Sequence, residues 1–263
     1  FSCYAYKSKS NEYIIINSSS TLSDEYRLIP ASSPYETPRI FQKRERGLEY
    51  GIYHRGNQFY IITNQDHLNF SIKTCNLDST NKDNWKEFIP GRENVLIEGL
   101  DVFNDFLVIS ERENGLTNLN VMNLKNDSSH YIPFNEPAYV ASTSTNLMMD
   151  SNVLRFAYNS LVNPGTLFEY NMLSKESKVL KEKEIVGGYN KQEFISERIW
   201  ATGRDGTKIP MSMVYKKGIK KDGNNPTLLY AYGSYGYSID PSFSSNRLSL
   251  LERGFIFVIA HTR

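Results

Sequence analysis

The chain has 263 residues, enough for one large domain or two ordinary ones. Its 30 Lys and Arg residues nearly balance its 29 Asp and Glu residues, so the sequence offers no basic field for nucleic acid and no acidic tail. Its apolar runs fall well short of the roughly 18–20 residues that a membrane-spanning helix requires, so we expect neither nucleic acid nor a membrane as a partner.

An apolar strand followed by a second strand recurs along the first two thirds of the chain. The recurring strands begin at Tyr13, Phe59, Phe106 and Leu154, and the second strands cover residues 25–29, 70–77, 117–124 and 166–172. Repeats of roughly 40–50 residues with several short strands are typical of β-propeller blades. The sequence therefore predicts a mostly β protein with about four propeller blades.

Some parts of the repeat are less regular. The first copy shows no recognisable opening strands, so we expect it to begin partway through a blade. A four-bladed ring is an alternative, but a small one. Because a propeller works by closing its circle, a larger ring truncated at its N-terminal side is favoured. Residues 81–91 and 126–137 are interpreted as loops between strands, with one short helical turn at residues 85–87.

The pattern changes beyond residue 190. Strands at 197–203 and 207–215 flank Asp205-Gly206, which is a strong hairpin signal. A buried-type strand at 227–232, a short helix at 246–253 that ends at Gly254, and an apolar strand at 255–260 follow. Strand, helix and apolar strand in this order predict the start of a βαβ unit and of a parallel sheet.

Side chains with obvious chemistry are few. Cys3 and Cys75 are interpreted as packed thiols, because two unpatterned cysteines make neither a disulfide framework nor a metal site. The four histidines have no metal-ligand spacing, so the sequence predicts no cofactor and no metal. His261 ends a predicted parallel strand, where ligand sites cluster, but a structural role is favoured for it.

A serine nucleophile is also not evident. The G-x-S-x-G elbow of α/β-hydrolases does not occur, and Ser234, in the nearest similar segment, is interpreted as a turn serine. Glu111 and Glu113, which flank Arg112, are interpreted as a solvated or ion-paired blade rim.

Several segments nevertheless resemble one family of enzymes. Residues 197–210, 229–236, 247–254 and 261–263 are similar to the entry into the peptidase domain of the oligopeptidase B branch of the prolyl oligopeptidase family. Upstream, residues 53–55, 96–99 and 111–116 resemble the propeller of the same branch. The resemblance implies a seven-bladed propeller over an α/β-hydrolase domain. It divides the chain into a partial propeller at 1–190 and the beginning of the catalytic domain at 191–263.

The resemblance also implies an activity. Members of this branch are serine peptidases that cleave short peptides after Lys or Arg, with the propeller as a substrate gate. Their Ser-Asp-His triad would lie beyond Arg263, so the 263 residues alone are expected to be inactive. Tyr232 matches a tyrosine whose hydroxyl helps to form the oxyanion hole, and a protonated hydroxyl at the end of a parallel strand can donate there. The alternative for Tyr232 is a core aromatic whose hydroxyl caps a loop.

A second class of function stays open on the sequence alone. The repeats are compatible with a stand-alone propeller that binds other proteins, with the last part of the chain as an appendage. The unpaired cysteines and the family suit a cytoplasmic protein, and a periplasmic one remains an alternative.

Overall fold

The protein is described by a computed structural model that covers residues 1–262; Arg263, the last residue of the resemblance, lies outside the described residues. Within this range the strands form four successive four-stranded meanders and one mixed four-stranded sheet. No helix in the described range is long and apolar enough to cross a membrane.

The four meanders take their strands in chain order. The first consists of β1 (Ser2–Lys7), β2 (Tyr13–Ser20), β3 (Ser23–Pro30) and β4 (Arg39–Gln42). The second consists of β5 (Tyr50–Arg55), β6 (Gln58–Thr63), β7 (Ser71–Asn76) and β8 (Lys86–Ile89). The third consists of β9 (Val95–Val102), β10 (Phe106–Glu113), β11 (Leu116–Asn123) and β12 (Ser129–Tyr131). The fourth consists of β13 (Tyr139–Thr143), β14 (Val153–Ser160), β15 (Thr166–Asn171) and β16 (Ser177–Glu182).

The recurring apolar strands of the sequence are β2, β6, β10 and β14, the second strand of each meander. The prediction that the first copy lacks its opening strands is wrong. Strand β1 pairs antiparallel with β2, from Ser2 opposite Ser19 to Lys7 opposite Ile14. Every residue of β1 is exposed, so its sequence carries none of the apolar pattern that marks a buried strand.

The interpretation of residues 81–91 and 126–137 as loops is also wrong in part. They contain β8 and β12, the last strands of their meanders, which are short and largely exposed. The helical turn lies at Lys82–Asn84, three residues before the predicted position. Trp85 is instead held in place because its indole Nε1 donates to the carbonyl of Thr80 at 2.8 Å.

The mixed sheet follows the fourth meander. Its elements are β17 (Phe194–Thr202), β18 (Lys208–Lys216), β19 (Thr227–Ala231), α1 (Ser245–Glu252) and β20 (Ile256–Ala260), with the strand order β17-β18-β20-β19. The first three strands of that order pair antiparallel, and β19 pairs parallel with β20. The predicted hairpin is confirmed by the antiparallel pairing of β17 with β18, and Gly206 in the connecting turn is left-handed (φ 84°).

Helix α1 ends where the sequence predicts. Gly254 has φ 82°, its N–H donates to the carbonyl of Leu251 at 3.0 Å, and the N–H of Phe255 donates to the carbonyl of Leu250 at 3.1 Å. These are the two hydrogen bonds of a Schellman motif, which turns the chain sharply out of a helix. The turn leads directly into β20 and so completes a strand–helix–strand unit.

Buried clusters of apolar side chains join several neighbouring elements. One cluster joins the first and second meanders around Phe41, Phe59 and Ile61, and another joins the second and third around Ile72 and Leu107. The mixed sheet is buried on both faces of β18 and β20. The prediction that residues 227–232 form a buried strand is wrong within the described chain, because every residue of β19 is exposed.

The described residues form two compact units. The first contains residues 1–111, 120–130 and 146–152, and the second contains residues 112–119 and 131–145 together with the chain from residue 153 onward.

Candidate functional site

Two residues singled out from the sequence follow the parallel strands of the mixed sheet. In the pairing of β19 with β20, Ala231 lies opposite Ala260. Tyr232 and His261 are the next residues, so both backbones leave the sheet at the same edge. Ligand sites in parallel sheets form at this edge, outside the carboxyl ends of the strands.

Tyr232 is directed outward rather than into the core. Its side chain is 44% exposed, and its ring packs edge-on against Tyr237 with 6.1 Å between the ring centroids. Within residues 1–262 its hydroxyl makes no hydrogen bond. A protonated hydroxyl in this position can donate to a group that enters from outside the described chain.

Ser234 lies in the short 3-10 turn Ser234–Gly236 that follows Tyr232. The serine is exposed, and its carbonyl accepts a hydrogen bond from the N–H of Tyr237 at 3.2 Å. A nucleophile elbow would place the serine between a strand and a helix, and here no helix begins until α1. The interpretation of Ser234 as a turn serine agrees with this geometry.

His261 is buried in a hydrogen-bonded chain of side chains. Its Nε2 lies 2.7 Å from the Oγ of Ser212, and Arg198 Nη1 donates to the same oxygen at 3.0 Å. Arg198 Nη2 donates in turn to the backbone carbonyl of Asn114. The chain therefore ties β20 and β18 to the turn between β10 and β11.

The electrostatic environment keeps His261 neutral. Burial is the largest cause that lowers the pKa of His261, to about 4, and the nearby charges of Arg198 and Arg112 lower it further. Arg112 is itself paired with Asp240, 2.8 Å from Nη1 to Oδ1. A neutral imidazole in a buried hydrogen-bonded chain supports the structural role predicted for this residue.

The turn at Asn114 and Gly115 fits closely around the histidine. Both residues are left-handed, with φ 51° and 76°, as the favoured two-residue hairpin turn requires. A Cβ added to Gly115 would lie 2.6 Å from Cγ of His261, which is far inside van der Waals contact. Glycine is thus required at this position for its backbone and for its lack of a side chain.

The two glutamates of the predicted rim differ from each other. Glu111 is fully buried, and its Oε1 lies 2.6 Å from Arg92 Nη2, which confirms an ion pair but not a solvated position. Glu113 is exposed. A buried carboxylate needs such a partner, since an isolated buried charge is strongly destabilising.

Of the two cysteines interpreted as packed thiols, Cys3 is exposed, so that interpretation is wrong for Cys3. Cys3 and Cys75 are free thiols, of which only Cys75 is buried, and burial raises its pKa to about 12. Among residues 1–262, no three His, Cys, Asp or Glu side chains come together as a set that could hold a metal ion.

The sequence did not predict the partners of His261. Arg198 and Asn114 are 84 residues apart, and Arg112 and Asp240 are 128 apart, so no local spacing connects them. The one available signal was Asn114-Gly115, a dipeptide typical of tight hairpin turns.

Four successive meanders followed by a sheet with a parallel edge define a β-propeller protein with a second sheet attached. Residues 1–183 match the model of the prolyl oligopeptidase N-terminal β-propeller domain. The chain belongs to the prolyl oligopeptidase family of serine peptidases.

Relatives match nearly the whole chain. Dipeptidyl aminopeptidase BI of Pseudoxanthomonas mexicana is 40% identical over 259 residues, which cover 98% of this chain and 35% of that protein. Protease 2 of Moraxella lacunata is 35% identical over 264 residues, which cover 100% of this chain and 38% of that protein.

Solved structures give the same result. Oligopeptidase B from Trypanosoma brucei, with covalently bound antipain in a closed form, superposes with a TM-score of 0.91 at 32% identity, covering 100% of this chain and 39% of that one. Oligopeptidase B from Leishmania major superposes with a TM-score of 0.91 at 29% identity, and the match covers 100% of this chain and 38% of that one. The chain thus spans between a third and two fifths of the length of these proteins.

The close fit at Gly115 leads to a first prediction. We expect Gly115→Ala to destabilise the fold by about 1–3 kcal/mol more than Gly56→Ala does, because overpacking adds to the strain of positive φ. Gly56 is a matched control: it is also left-handed (φ 59°) and has nothing within 4 Å of an added Cβ. Urea unfolding of both variants measures the difference in their free energies of unfolding. An equal loss of stability in the two variants would contradict the close packing of Gly115 against His261.

The neutral state of His261 leads to a second prediction. The unfolded chain takes up a proton on this histidine below about pH 6.5, whereas the folded chain does so only near pH 4, so stability is lost as the pH falls between these values. At pH 5 this histidine is expected to contribute about 2 kcal/mol of that loss. We measure the free energy of unfolding in urea at pH 7 and at pH 5. Between these two values the His261→Gln variant should lose less stability than the unchanged protein. An identical pH dependence of the two proteins would contradict the buried neutral histidine.

Proposed function

We propose that the chain contributes a propeller and the opening strands of a catalytic domain to a serine peptidase that hydrolyses short peptides. The boundary lies near residue 190, with the partial propeller at 1–190 and the beginning of an α/β-hydrolase domain at 191–263. The observation that carries the proposal is the parallel pair β19–β20, joined through α1, that follows the family's propeller directly.

The exposure of β19 supports a larger sheet. Leu228, Leu229 and Tyr230 are 42%, 60% and 47% exposed, although the strand is rich in side chains that favour burial. A parallel sheet is normally covered on both faces and paired along its inner strands. We infer that further strands and helices of the same protein continue the sheet beside β19.

The catalytic nucleophile belongs to that further sequence. Ser212 and His261 are within hydrogen-bonding distance, as a nucleophile and its base would be. However, Ser212 is fully buried, and Arg198 occupies its oxygen, so a substrate carbonyl has no route to it. These 263 residues are therefore proposed to be inactive by themselves, with the Ser-Asp-His triad outside them.

Tyr232 is proposed as a donor to the oxyanion of the tetrahedral intermediate. It stands at the carboxyl end of a parallel strand, and its hydroxyl has no hydrogen-bond partner within residues 1–262. An oxyanion hole needs preorganised donors that are not already occupied by the protein itself. The edge-on contact with Tyr237 restricts the ring without using the hydroxyl.

The substrate is proposed to be a short peptide cleaved after Lys or Arg, with the propeller excluding folded proteins. The chain is similar to protease 2 and to oligopeptidase B, and the preference for Lys or Arg is what the resemblance to that branch implies. The relative at 40% identity is named a dipeptidyl aminopeptidase, which favours a second candidate, the release of dipeptides from a free amino terminus. A cytoplasmic location is proposed, with the periplasm as the alternative.

The activity is tested on the longest polypeptide that the reading frame encodes. We expect it to hydrolyse an amino-terminally blocked fluorogenic Arg amide and to leave the matching blocked Ala amide intact. Faster release from the unblocked dipeptidyl Arg amide would indicate the dipeptidyl activity. If no amide is hydrolysed, the proposal is wrong and a protein-binding platform becomes the better explanation.

The role of Tyr232 is tested in the same assay. Tyr232→Phe should lower kcat by about 10²–10³ with little change in KM, because one donor to the transition state is lost. Tyr237→Phe is the control, since it keeps the ring contact and removes a neighbouring hydroxyl. An unchanged kcat for Tyr232→Phe would remove the assigned role.

A further inference from the structure

A cavity of about 650 Å³ lies in the first unit, among the opening strands of three successive meanders. Strands β1, β5 and β9 supply its walls, and residues 146–148 border it. Its size is that of pockets which hold small organic ligands. Nothing in the proposed peptidase mechanism uses it.

Three tyrosines make the cavity rich in hydrogen-bond donors. A Cβ placed on Gly51 would lie 3.8 Å from the hydroxyl of Tyr53 and 3.9 Å from that of Tyr26, so both hydroxyls flank the same open space above β5. Tyr6 of β1 also lines the cavity. Gly51 leaves room that any larger residue would fill.

These hydroxyls stay protonated at any physiological pH. Partial burial of the hydroxyl is the main cause that raises the pKa of Tyr6, to about 12, although the side chain as a whole is 43% exposed, and the neighbouring phenol of Tyr53 raises it further. Burial likewise raises the pKa of Tyr26 and of Tyr53. A neutral phenol can donate its proton in a hydrogen bond.

Lys9 and Asp101 also line the cavity. Lys9 Nζ lies 2.6 Å from Asp101 Oδ1 and 3.4 Å from the ring centroid of Phe103, and both charged side chains are less than a fifth exposed. Asn146 Nδ2 donates to the other oxygen of Asp101 at 2.9 Å. The protein itself thus shows how a carboxylate is held here, with one oxygen on an ammonium and the other on an amide.

The border of the cavity is apolar. Leu147 and Met148 line it and are 76% and 67% exposed. Exposed large apolar side chains beside a polar pocket are suited to cover the apolar part of a ligand. The lining combines tyrosine hydroxyls, the Lys9–Asp101 ion pair and an apolar border, so a ligand carboxylate competes with Asp101 for Lys9 while its apolar group contacts Leu147 and Met148.

We propose that this cavity binds a carboxylate carried on a small apolar group, with the carboxylate at Lys9 and the tyrosine hydroxyls and the apolar group on Leu147 and Met148. The carboxyl terminus of a short peptide and a single acylated amino acid share this chemistry. The proposal goes beyond the peptidase activity and does not depend on it, because it concerns binding in the first unit.

Calorimetric titration of the longest encoded polypeptide tests the proposal. The probes are N-acetyl-Gly-Phe-Leu as the free acid, the same peptide as its carboxyl-terminal amide, and N-acetyl-Leu; none contains Lys or Arg. We expect the free acid to bind at least about tenfold more tightly than the amide. If N-acetyl-Leu binds as tightly as the free acid of the peptide, the ligand is a single acylated amino acid. If N-acetyl-Leu binds more weakly, the ligand is the carboxyl terminus of a peptide. Equal binding of acid and amide, or no binding of either acid, overturns the proposal.

Variants then locate the site. Asp101→Asn removes the competing carboxylate and keeps Lys9, so the free acid should bind several-fold more tightly. Asp105→Asn is the matched control, because Asp105 pairs with Lys125 at an exposed position, 2.6 Å apart. Tyr26→Phe should weaken the binding of the free acid by about twofold to tenfold and leave the binding of the amide unchanged. If the Asp101→Asn variant fails to fold, the Tyr26→Phe variant alone tests the location of the site. If a folded Tyr26→Phe variant binds the free acid as tightly as the unchanged protein does, the assignment is overturned.

Discussion

The packing of the mixed sheet against Ala138 and Leu161 determines where the candidate site lies. Val214, Phe257 and Ile259 of β18 and β20 join these two residues in one buried cluster, and Leu251 of α1 completes it. The opposite face of the same strands buries a second cluster. Each fully buried side chain of this kind contributes about 1.5–3 kcal/mol, so the two faces together fix β20 firmly, and with it the backbone from which His261 leaves the sheet.

The buried polar residues of the second unit depend on that frame. His261 is buried and Arg198 is partly buried, and Nε2 of His261 and Nη1 of Arg198 meet at Oγ of Ser212, while Nη2 of Arg198 donates to the carbonyl of Asn114. Their function is to hold elements together rather than to react. Tyr232, only one residue past the same pair of strands, is left exposed with its hydroxyl available. The two neighbouring residues at this edge therefore differ in burial, since His261 is enclosed and Tyr232 is exposed.

The sequence predicted those elements whose side chains carry a burial pattern. Strands β2, β6, β10 and β14 were found because their apolar side chains recur, and α1 because Gly254 marks its end. Strands β1, β8 and β12 were missed because they are short or exposed, and pairing with a neighbouring strand, rather than periodicity, defines them. Tyr232 was found only through a family resemblance. The contacts of His261 could not be found, since they join residues 49 and more positions apart and leave no local signal.

The connectivity of the sheets has a consequence for how the chain folds during synthesis. The meanders pair strands that are close in sequence, so each one can form as soon as its own residues leave the ribosome. The mixed sheet differs, because β20 lies between β18 and β19 and is made after both of them. Until residues 256–260 emerge, β18 has no partner on one side and β19 has none at all. The nascent protein therefore passes through a stage with unpaired strand edges, when a holding chaperone would have most to bind.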